Sequence, residues 1–196
     1  MKKDILIIGA ARSGKTSLMN AILDKYSFYE PLRGDAALTA LSHVIPKKVR
    51  KEKDEYIYTL PVLTKEDTLN YLVTLYEEMK LDLSNTDRKI IIDTVDLSVE
   101  EAIDLFGKSC DIYCLGMPDE EVRGLEIKIR KTEKQTDWTY RMGHFTLQSM
   151  CENIIWNSRQ MQADCDKYGI IYFDTSGNRE EKIKQIMEEI EKGSIL

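Results

Sequence analysis

Residues 9–16 form a phosphate-binding pattern near the amino end of the chain. Gly9, Gly14, Lys15 and Thr16 occupy the fixed positions of G-x-x-x-x-G-K-[ST]. Glycines adopt backbone conformations that other residues avoid, so successive N–H groups can turn inward around phosphate oxygens. Lys15 suits the β- and γ-phosphates, and the Thr16 hydroxyl suits Mg²⁺. The pattern predicts a nucleoside triphosphate site made of Gly9, Ala10, Ala11, Arg12, Ser13, Gly14, Lys15, Thr16 and Ser17.

The segments on either side of this pattern make it specific. An apolar run, Ile5–Ile8, precedes it and predicts a buried strand. After it, apolar residues recur at helical spacing: Leu18, Met19, Ile22, Leu23 and Tyr26. A strand followed by a helix directs the positive helix N-terminus at a bound anion. The alternative, a glycine-bearing turn in an ordinary βα unit, does not require this combination.

Three aspartates are candidates for the remaining chemistry. Asp93 follows the apolar run Ile90–Ile92, where an acid can hold the Mg²⁺ shell. Asp96, three residues beyond, could share or replace that role, or could bind a phosphoryl acceptor. Asp35 lies where it could orient or deprotonate an acceptor hydroxyl, and Arg33 could pair with an anionic group of the acceptor. For each aspartate, turn formation or helix capping is the plain alternative.

Two further sets of residues are expected near the triphosphate. Arg123 and Arg130 lie seven residues apart, so they share one face of a helix that could close over the phosphates and neutralise developing charge. A solvated basic surface is the alternative. Ser176 follows the last predicted strand, in a loop expected to pass beside the base, and it equally suits a turn before a helix.

Apolar runs and helical patterns alternate along the chain. Four runs predict strands, Ile5–Ile8, Ile90–Ile92, Ile112–Leu115 and Ile170–Phe173, and a fifth strand is placed near Ser27–Glu30, before a turn. Helices are predicted at Lys65–Lys80, after Ser98, between Leu147 and Cys165, and at Asn178–Lys192. This alternation is typical of an α/β fold with a parallel sheet covered on both faces.

Composition limits the classes of function. The 196 residues suit one domain, and 34 acidic against 28 basic residues give a net charge of -6. That charge offers no general attraction to nucleic acid or to an anionic membrane, and no run approaches the roughly 18 apolar residues of a membrane span. The four cysteines lack C-x₂-C spacing, which predicts buried thiols in a reducing, cytoplasmic setting. Monomer and homodimer both stay open.

The sequence resembles the P-loop kinases of nucleotides and small metabolites, such as adenylate kinase, shikimate kinase and chloramphenicol phosphotransferases. The resemblance is carried by Gly9–Thr16, Gly34-Asp35, Asp93, the strand Asp111–Leu115 that leads into a basic segment with Arg123 and Arg130, and Gly169–Ser176. It implies a single three-layer domain, 1–196, with a five-stranded parallel sheet of order 2-3-1-4-5. It also implies an acceptor-side insertion at about 36–80 and a lid at about 119–145.

The same resemblance implies an enzyme that uses ATP and Mg²⁺ to phosphorylate a small hydroxyl-bearing molecule. After Asp93 the sequence continues Thr94-Val95-Asp96, whereas kinases similar to adenylate kinase have Gly-Phe-Pro-Arg there. The missing arginine argues against a standard monophosphate kinase, although a nucleoside or nucleotide kinase stays an alternative. A regulatory ATPase or GTPase switch is a further one, but Leu115 is followed by Gly-Met-Pro and not by Asn-Lys-x-Asp.

Overall fold

A computed structural model describes residues 3–44, 48–52, 55–59, 64–135, 139–140 and 142–192, with backbone only for 48–52, 55–59 and 192. Its strands are β1 (Asp4–Gly9), β2 (Tyr29–Arg33), β3 (Lys48–Glu52), β4 (Glu55–Thr59), β5 (Lys89–Thr94), β6 (Cys110–Gly116) and β7 (Ile171–Asp174). Its helices are α1 (Lys15–Lys25), α2 (Gly34–Val44), α3 (Lys65–Asp82), α4 (Val99–Phe106), α5 (Val122–Thr132), α6 (His144–Tyr168) and α7 (Arg179–Lys192).

The main sheet has five parallel strands in the order β2-β5-β1-β6-β7. Counted along the chain without β3 and β4, this is the predicted order 2-3-1-4-5, so the α/β fold class is confirmed. The register places Ile7 of β1 opposite both Asp93 of β5 and Tyr113 of β6. Because the strands are parallel, the loop after β1 and the end of β5 lie at the same edge of the sheet.

The apolar character of β1 follows from its central position. Ile5 and Ile7 pack against α1 and α7 on one face, while Leu6 and Ile8 pack against α3 and α4 on the other. Successive side chains of a strand point to opposite faces, and here helices cover both faces. Each of these side chains is almost completely buried, which contributes about 1.5–3 kcal/mol per residue.

The helix termini follow from local sequence signals. Thr64 with Asp67, and Ser98 with Glu101, form reciprocal capping boxes at the starts of α3 and α4. The long helix α6 ends at Tyr168 and is followed by Gly169, whose φ of 70° suits a residue without a side chain. The predicted helix at the carboxyl end begins one residue later than expected, because the Asn178 side chain caps it by accepting from the Glu180 N–H.

Two features differ from the prediction. β2 continues through Pro31 to Arg33, where a turn was expected, because β2 is an edge strand and pairs on one side only. β3 and β4, which sequence periodicity did not predict, pair in an antiparallel manner in a separate two-stranded sheet. The four cysteines are buried and unbridged, as predicted. In the described part of the chain, no helix combines the length and apolarity needed to span a bilayer.

Candidate active site

The phosphate-binding pattern forms a tight loop between β1 and α1. Gly9 has a φ of 143°, and a Cβ at this position would lie 2.0 Å from the Leu115 carbonyl oxygen. Gly14, with a φ of 95°, directly precedes α1. Both glycines are therefore required by conformation, and the first also by the close approach of β6. The loop leads into the N-terminus of an 11-residue helix, as the motif predicted.

Lys15 lies at the base of this loop with its ammonium group almost completely buried. The residue is 5% exposed, and Nζ donates one hydrogen bond, to the Ala10 carbonyl oxygen at 2.9 Å. Burial lowers the pKa of Lys15, and the charges of Asp35 and Asp93 act in the opposite direction. Since an ammonium group has three N–H donors, Lys15 keeps donor capacity for a bound anion.

Thr16 and Asp93 are in direct contact. The Thr16 hydroxyl donates to Asp93 Oδ2 at 2.7 Å, and Asp93 is 4% exposed at the end of β5. Burial raises the pKa of Asp93, while the hydrogen bond from Thr16 opposes this shift. These oxygen donors fit Mg²⁺, which is usually held by one or two protein oxygens together with substrate phosphates. Among the described residues, no cluster of three or more His, Cys, Asp or Glu side chains could hold a metal ion.

Asp35 and Asp96 lie close to each other at the edge of the sheet where β5 ends. Asp35, in the first turn of α2, accepts a hydrogen bond from the Val95 N–H at 3.0 Å through Oδ1. The Asp96 N–H donates to the Thr94 hydroxyl oxygen at 3.1 Å. Burial, followed by the charge of Asp35, raises the pKa of Asp96. The two carboxylates thus lie near each other and near Lys15. Their negative charges act to raise the Lys15 pKa, against the larger lowering that burial causes.

A cleft of about 690 Å³ joins these groups. It is lined by Ala11, Arg12, Gly14, Lys15, Thr16, Ser17, Asp35, Leu38, Thr39, Ser42, Val95, Asp96 and Arg179. The structure therefore brings the phosphate-binding loop together with Asp35 and Asp96, as expected from the sequence. Asp93 lies directly behind Thr16.

Arg179 is a lining residue that the sequence analysis missed. Its Nη2 donates to the Arg12 carbonyl oxygen at 2.8 Å, and its side chain packs against Gly14. Burial lowers the pKa of Arg179, and the nearby charge of Arg12 lowers it further. The only sequence signal was its place at the start of the helix that follows β7, a position that also suits an ordinary surface arginine.

Arg33 and Ser176 lie outside the cleft. Arg33 is exposed on the edge strand, where its Nη2 donates to Asn20 Oδ1 at 3.1 Å. The Ser176 hydroxyl donates to Asp174 Oδ1 at 2.6 Å and accepts from the Asp119 N–H at 3.3 Å. The adjacent Thr175 hydroxyl lies 2.8 Å from the Ser13 carbonyl oxygen, so this loop contacts the phosphate-binding loop. Roles for Arg33 in acceptor binding and for Ser176 beside the base stay predictions.

Arg123 and Arg130 both belong to α5, as predicted, but they line a separate groove between α5 and α6. Arg130 Nη1 donates to Glu133 at 3.0 Å, and Nη2 donates to the Met142 carbonyl oxygen. Arg12 reaches the same region, since its Nη2 donates to the Thr139 hydroxyl at 2.9 Å. The structure does not bring Arg123 and Arg130 to the cleft, and their action on a triphosphate stays a prediction.

Known structures share this architecture across almost the whole chain. Shikimate kinase from Bacteroides thetaiotaomicron aligns with a TM-score of 0.57 and 13% identity, covering 96% of this chain and 98% of that one. A sugar kinase from a Janibacter species aligns with a TM-score of 0.55 and 20% identity, covering 96% and 94%. A gluconokinase from Sinorhizobium meliloti aligns with a TM-score of 0.51 and 15% identity, covering 98% and 97%.

This chain has the P-loop kinase fold. The predicted resemblance is confirmed at the level of the fold, because these alignments cover 96–98% of this chain and the sheet has the predicted strand order. No protein-family model and no curated protein matches the sequence. Identities of 13–20% establish the P-loop kinase fold alone. The chemistry of this protein depends on the residues in its cleft.

Proposed function

We propose that this protein transfers the γ-phosphoryl group of ATP to a hydroxyl group of a small molecule, with Mg²⁺ as cofactor. One observation carries the proposal: a single cleft holds a buried ammonium group with unused donors, Lys15, together with two carboxylates, Asp35 and Asp96. The neighbours with the P-loop kinase fold support it, since their names describe kinases of a sugar, gluconate and shikimate.

The phosphate side of the proposed reaction depends on electrostatics. The N–H groups of the loop and the α1 N-terminus attract phosphate oxygens, and Lys15 neutralises charge on the β- and γ-phosphates. Because Lys15 lies in a buried position, its charge acts through a medium of low polarity and stabilises the transferred group more strongly than it would in water. Thr16 and Asp93 are the residues that would hold Mg²⁺, which neutralises phosphate charge when bound.

The acceptor side depends on Asp35. In the proposed step, the acceptor oxygen forms a bond to the γ-phosphorus while the bond to the β–γ bridging oxygen breaks, and ADP leaves with that electron pair. The hydroxyl proton passes to the Asp35 carboxylate and then to solvent. The Val95 N–H holds Oδ1 of Asp35, which leaves Oδ2 to accept this proton.

The cleft volume supports small substrates. Sites for small ligands and cofactors commonly enclose 300–1,000 Å³, and this cleft encloses about 690 Å³. We expect one nucleotide and one compact acceptor to share this space, with the acceptor hydroxyl near Asp35.

Release of ADP from ATP, measured with a panel of hydroxyl-bearing metabolites, tests the proposal. We expect at least one acceptor to stimulate ADP release, and Lys15→Met to abolish it. Lys184→Met, an exposed lysine on α7, is the matched control and should retain turnover. Full turnover by Lys15→Met would refute the proposal.

Two further results would favour other functions. Tighter binding of GTP than of ATP in a calorimetric titration would indicate a GTP-binding switch. Stimulation by nucleoside monophosphates alone would indicate a nucleotide kinase.

A further inference from the structure

The cleft crosses the carboxyl ends of the parallel strands in a fixed order. Asp35 follows β2, Asp96 follows β5, and the phosphate-binding loop follows β1. Arg179 begins α7, the helix after β7. Because the strands are ordered β2-β5-β1-β6-β7, both carboxylates lie on one side of the phosphate-binding loop and Arg179 lies on the other.

This order sets the direction of a bound nucleotide under the proposed function. The transferred γ-phosphoryl group must face the acceptor and therefore Asp35, on the side of β2 and β5. The β- and γ-phosphates lie at Lys15 in the phosphate-binding loop. The nucleoside, at the other end of the triphosphate, then extends toward the loops that follow β6 and β7. On that side the cleft is lined by Arg179.

The Arg179 side chain is held beside the phosphate-binding loop by two contacts. Its Nη2 donates to the Arg12 carbonyl oxygen at 2.8 Å. Its Cδ would lie 3.4 Å from a Cβ at Gly14, so the aliphatic part of the side chain lies against the residue that precedes α1. The guanidinium group therefore has a defined position next to the expected site of the phosphates.

The loop that leads to Arg179 is also anchored. The Gly177 N–H donates to Glu120 Oε2 at 3.1 Å, and Lys128 Nζ donates to the Gly177 carbonyl oxygen at 2.8 Å. Lys128 belongs to α5, and Glu120 lies just before that helix. These bonds connect the loop after β7 to the region of α5, which fixes the point where α7 and Arg179 begin.

The chemical character of Arg179 suits a flat aromatic ring. A guanidinium group is planar and its N–H donors lie in its plane, so the hydrogen bond to Arg12 does not use the faces of the group. Burial lowers the pKa of Arg179, because the charged group is partly removed from water. Cation–π contacts strengthen when the cation is desolvated. A purine base is a flat aromatic ring of the kind that such a group contacts.

We propose that the Arg179 guanidinium group stacks on the base of the bound nucleotide and adds affinity separate from that of the phosphate contacts. This rests on the proposed function, which sets the direction of the triphosphate. The sequence pattern placed a base contact at Ser176, but the residue of this region that lines the cleft is Arg179. Stacking uses the face of a base and not its edge, so this contact adds affinity without selecting adenine.

The affinities of ATP and of inorganic tripolyphosphate, each with Mg²⁺, test the proposal. Both ligands carry three phosphate groups, but only ATP carries a base. Arg179→Ala removes the hydrogen bond to the phosphate-binding loop and the stacking group together. Loss of the hydrogen bond should affect both ligands alike, whereas loss of stacking affects ATP alone. We expect the Kd for ATP, measured by calorimetric titration, to rise about fivefold more than the Kd for tripolyphosphate.

Nuclear magnetic resonance of the wild-type protein supplies a second readout. The resonance of the Arg179 Nε proton, assigned by its absence in Arg179→Lys, should shift upfield with ATP, because the ring current of a stacked base shields a proton above its face. Tripolyphosphate should cause no upfield shift. Arg88→Ala, at an exposed position before β5, is the matched control and should leave both affinities unchanged.

The possible failures can be distinguished. Equal rises of the two Kd values in Arg179→Ala would overturn the stacking proposal, and so would the lack of an upfield shift with ATP. In either case, ATP binding that depends on Lys15 leaves the proposed function in place. If the wild-type protein binds neither ATP nor tripolyphosphate, the proposed function itself fails.

Discussion

Thr16 and Asp93 lie 77 positions apart in the sequence, yet the hydroxyl of one donates to the carboxylate of the other at 2.7 Å. The parallel pairing of β1 with β5 causes this contact, since it carries the end of β5 to the start of α1. The contact joins the phosphate-binding loop to the predicted metal ligand. It also places an acidic group in a buried position, where its charge is costly.

The burial of Asp93 leads to a prediction about stability and pH. A folded-state pKa raised above the unfolded value of about 3.8 means that ionisation destabilises the folded protein, so stability falls as pH rises through the raised pKa. Asp93→Asn cannot ionise and still accepts from Thr16. We expect it to unfold at a higher temperature than the wild type at pH 7 without nucleotide.

Thermal unfolding between about pH 3.5 and pH 8 checks this prediction. The advantage of Asp93→Asn should shrink as the pH falls towards the unfolded pKa of about 3.8 and disappear below it, where the unfolded carboxyl also becomes protonated. Turnover of ATP should fall by more than about tenfold in the same variant. A lower unfolding temperature than the wild type at pH 7 would contradict the stated cost of ionisation.

Substitutions at Thr16 separate the hydroxyl group from the shape of the side chain. Thr16→Val removes the group that donates to Asp93 and that we expect to bind Mg²⁺, whereas Thr16→Ser retains it. We expect Thr16→Val to lower ATP turnover more than about tenfold and Thr16→Ser to stay within a few-fold of the wild type. The measurement is ADP release as a function of Mg²⁺ concentration, and equal rates for the two variants would remove Thr16 from the proposed metal site.

Arg179 is expected to stabilise the phosphate-binding loop. Arg12 has a φ of 62°, in the left-handed region that costs a non-glycine residue about 1–2 kcal/mol, and its carbonyl oxygen accepts from Arg179. Loss of this hydrogen bond in Arg179→Met should weaken ATP binding about tenfold. Calorimetric titration measures the effect, with the exposed Arg88→Met as control. An unchanged affinity for ATP would show that the loop holds its conformation without Arg179.

The two arginines of α5 are expected to differ in their effect on stability. Arg130 binds Glu133, whose side chain is 8% exposed, and two backbone carbonyl oxygens, so Arg130→Ala leaves a buried carboxylate without its cation. We expect the free energy of unfolding to fall by about 2 kcal/mol in Arg130→Ala and by less than about 0.5 kcal/mol in the exposed Arg123→Ala.

Denaturant unfolding measures both values, and ADP release by Arg123→Ala then tests the lid hypothesis. A lower kcat with unchanged stability would support a lid arginine that acts on the phosphates. Wild-type kcat in Arg123→Ala would remove this residue from the catalytic set.

The sequence alone determined the features that depend on neighbouring residues. The phosphate-binding loop, the apolar strands and the capping boxes at Thr64 and Ser98 are all specified within a few positions of the chain. Their conformations follow from the steric limits of glycine, from side-chain alternation and from hydrogen bonds between residues close in sequence. The strand order followed from a resemblance carried mainly by residues 9–16.

Only the tertiary structure decided the features that depend on distant partners. Pro31 lies within a strand because β2 is at the edge of the sheet, and Arg179 enters the cleft because β7 brings α7 beside the phosphate-binding loop. Arg130 does not line the cleft. Its guanidinium group instead donates hydrogen bonds to Glu133 and to two carbonyl oxygens. In each case, strand pairing and burial between residues distant in sequence determined which groups came into contact. No pattern of neighbouring residues predicts those contacts.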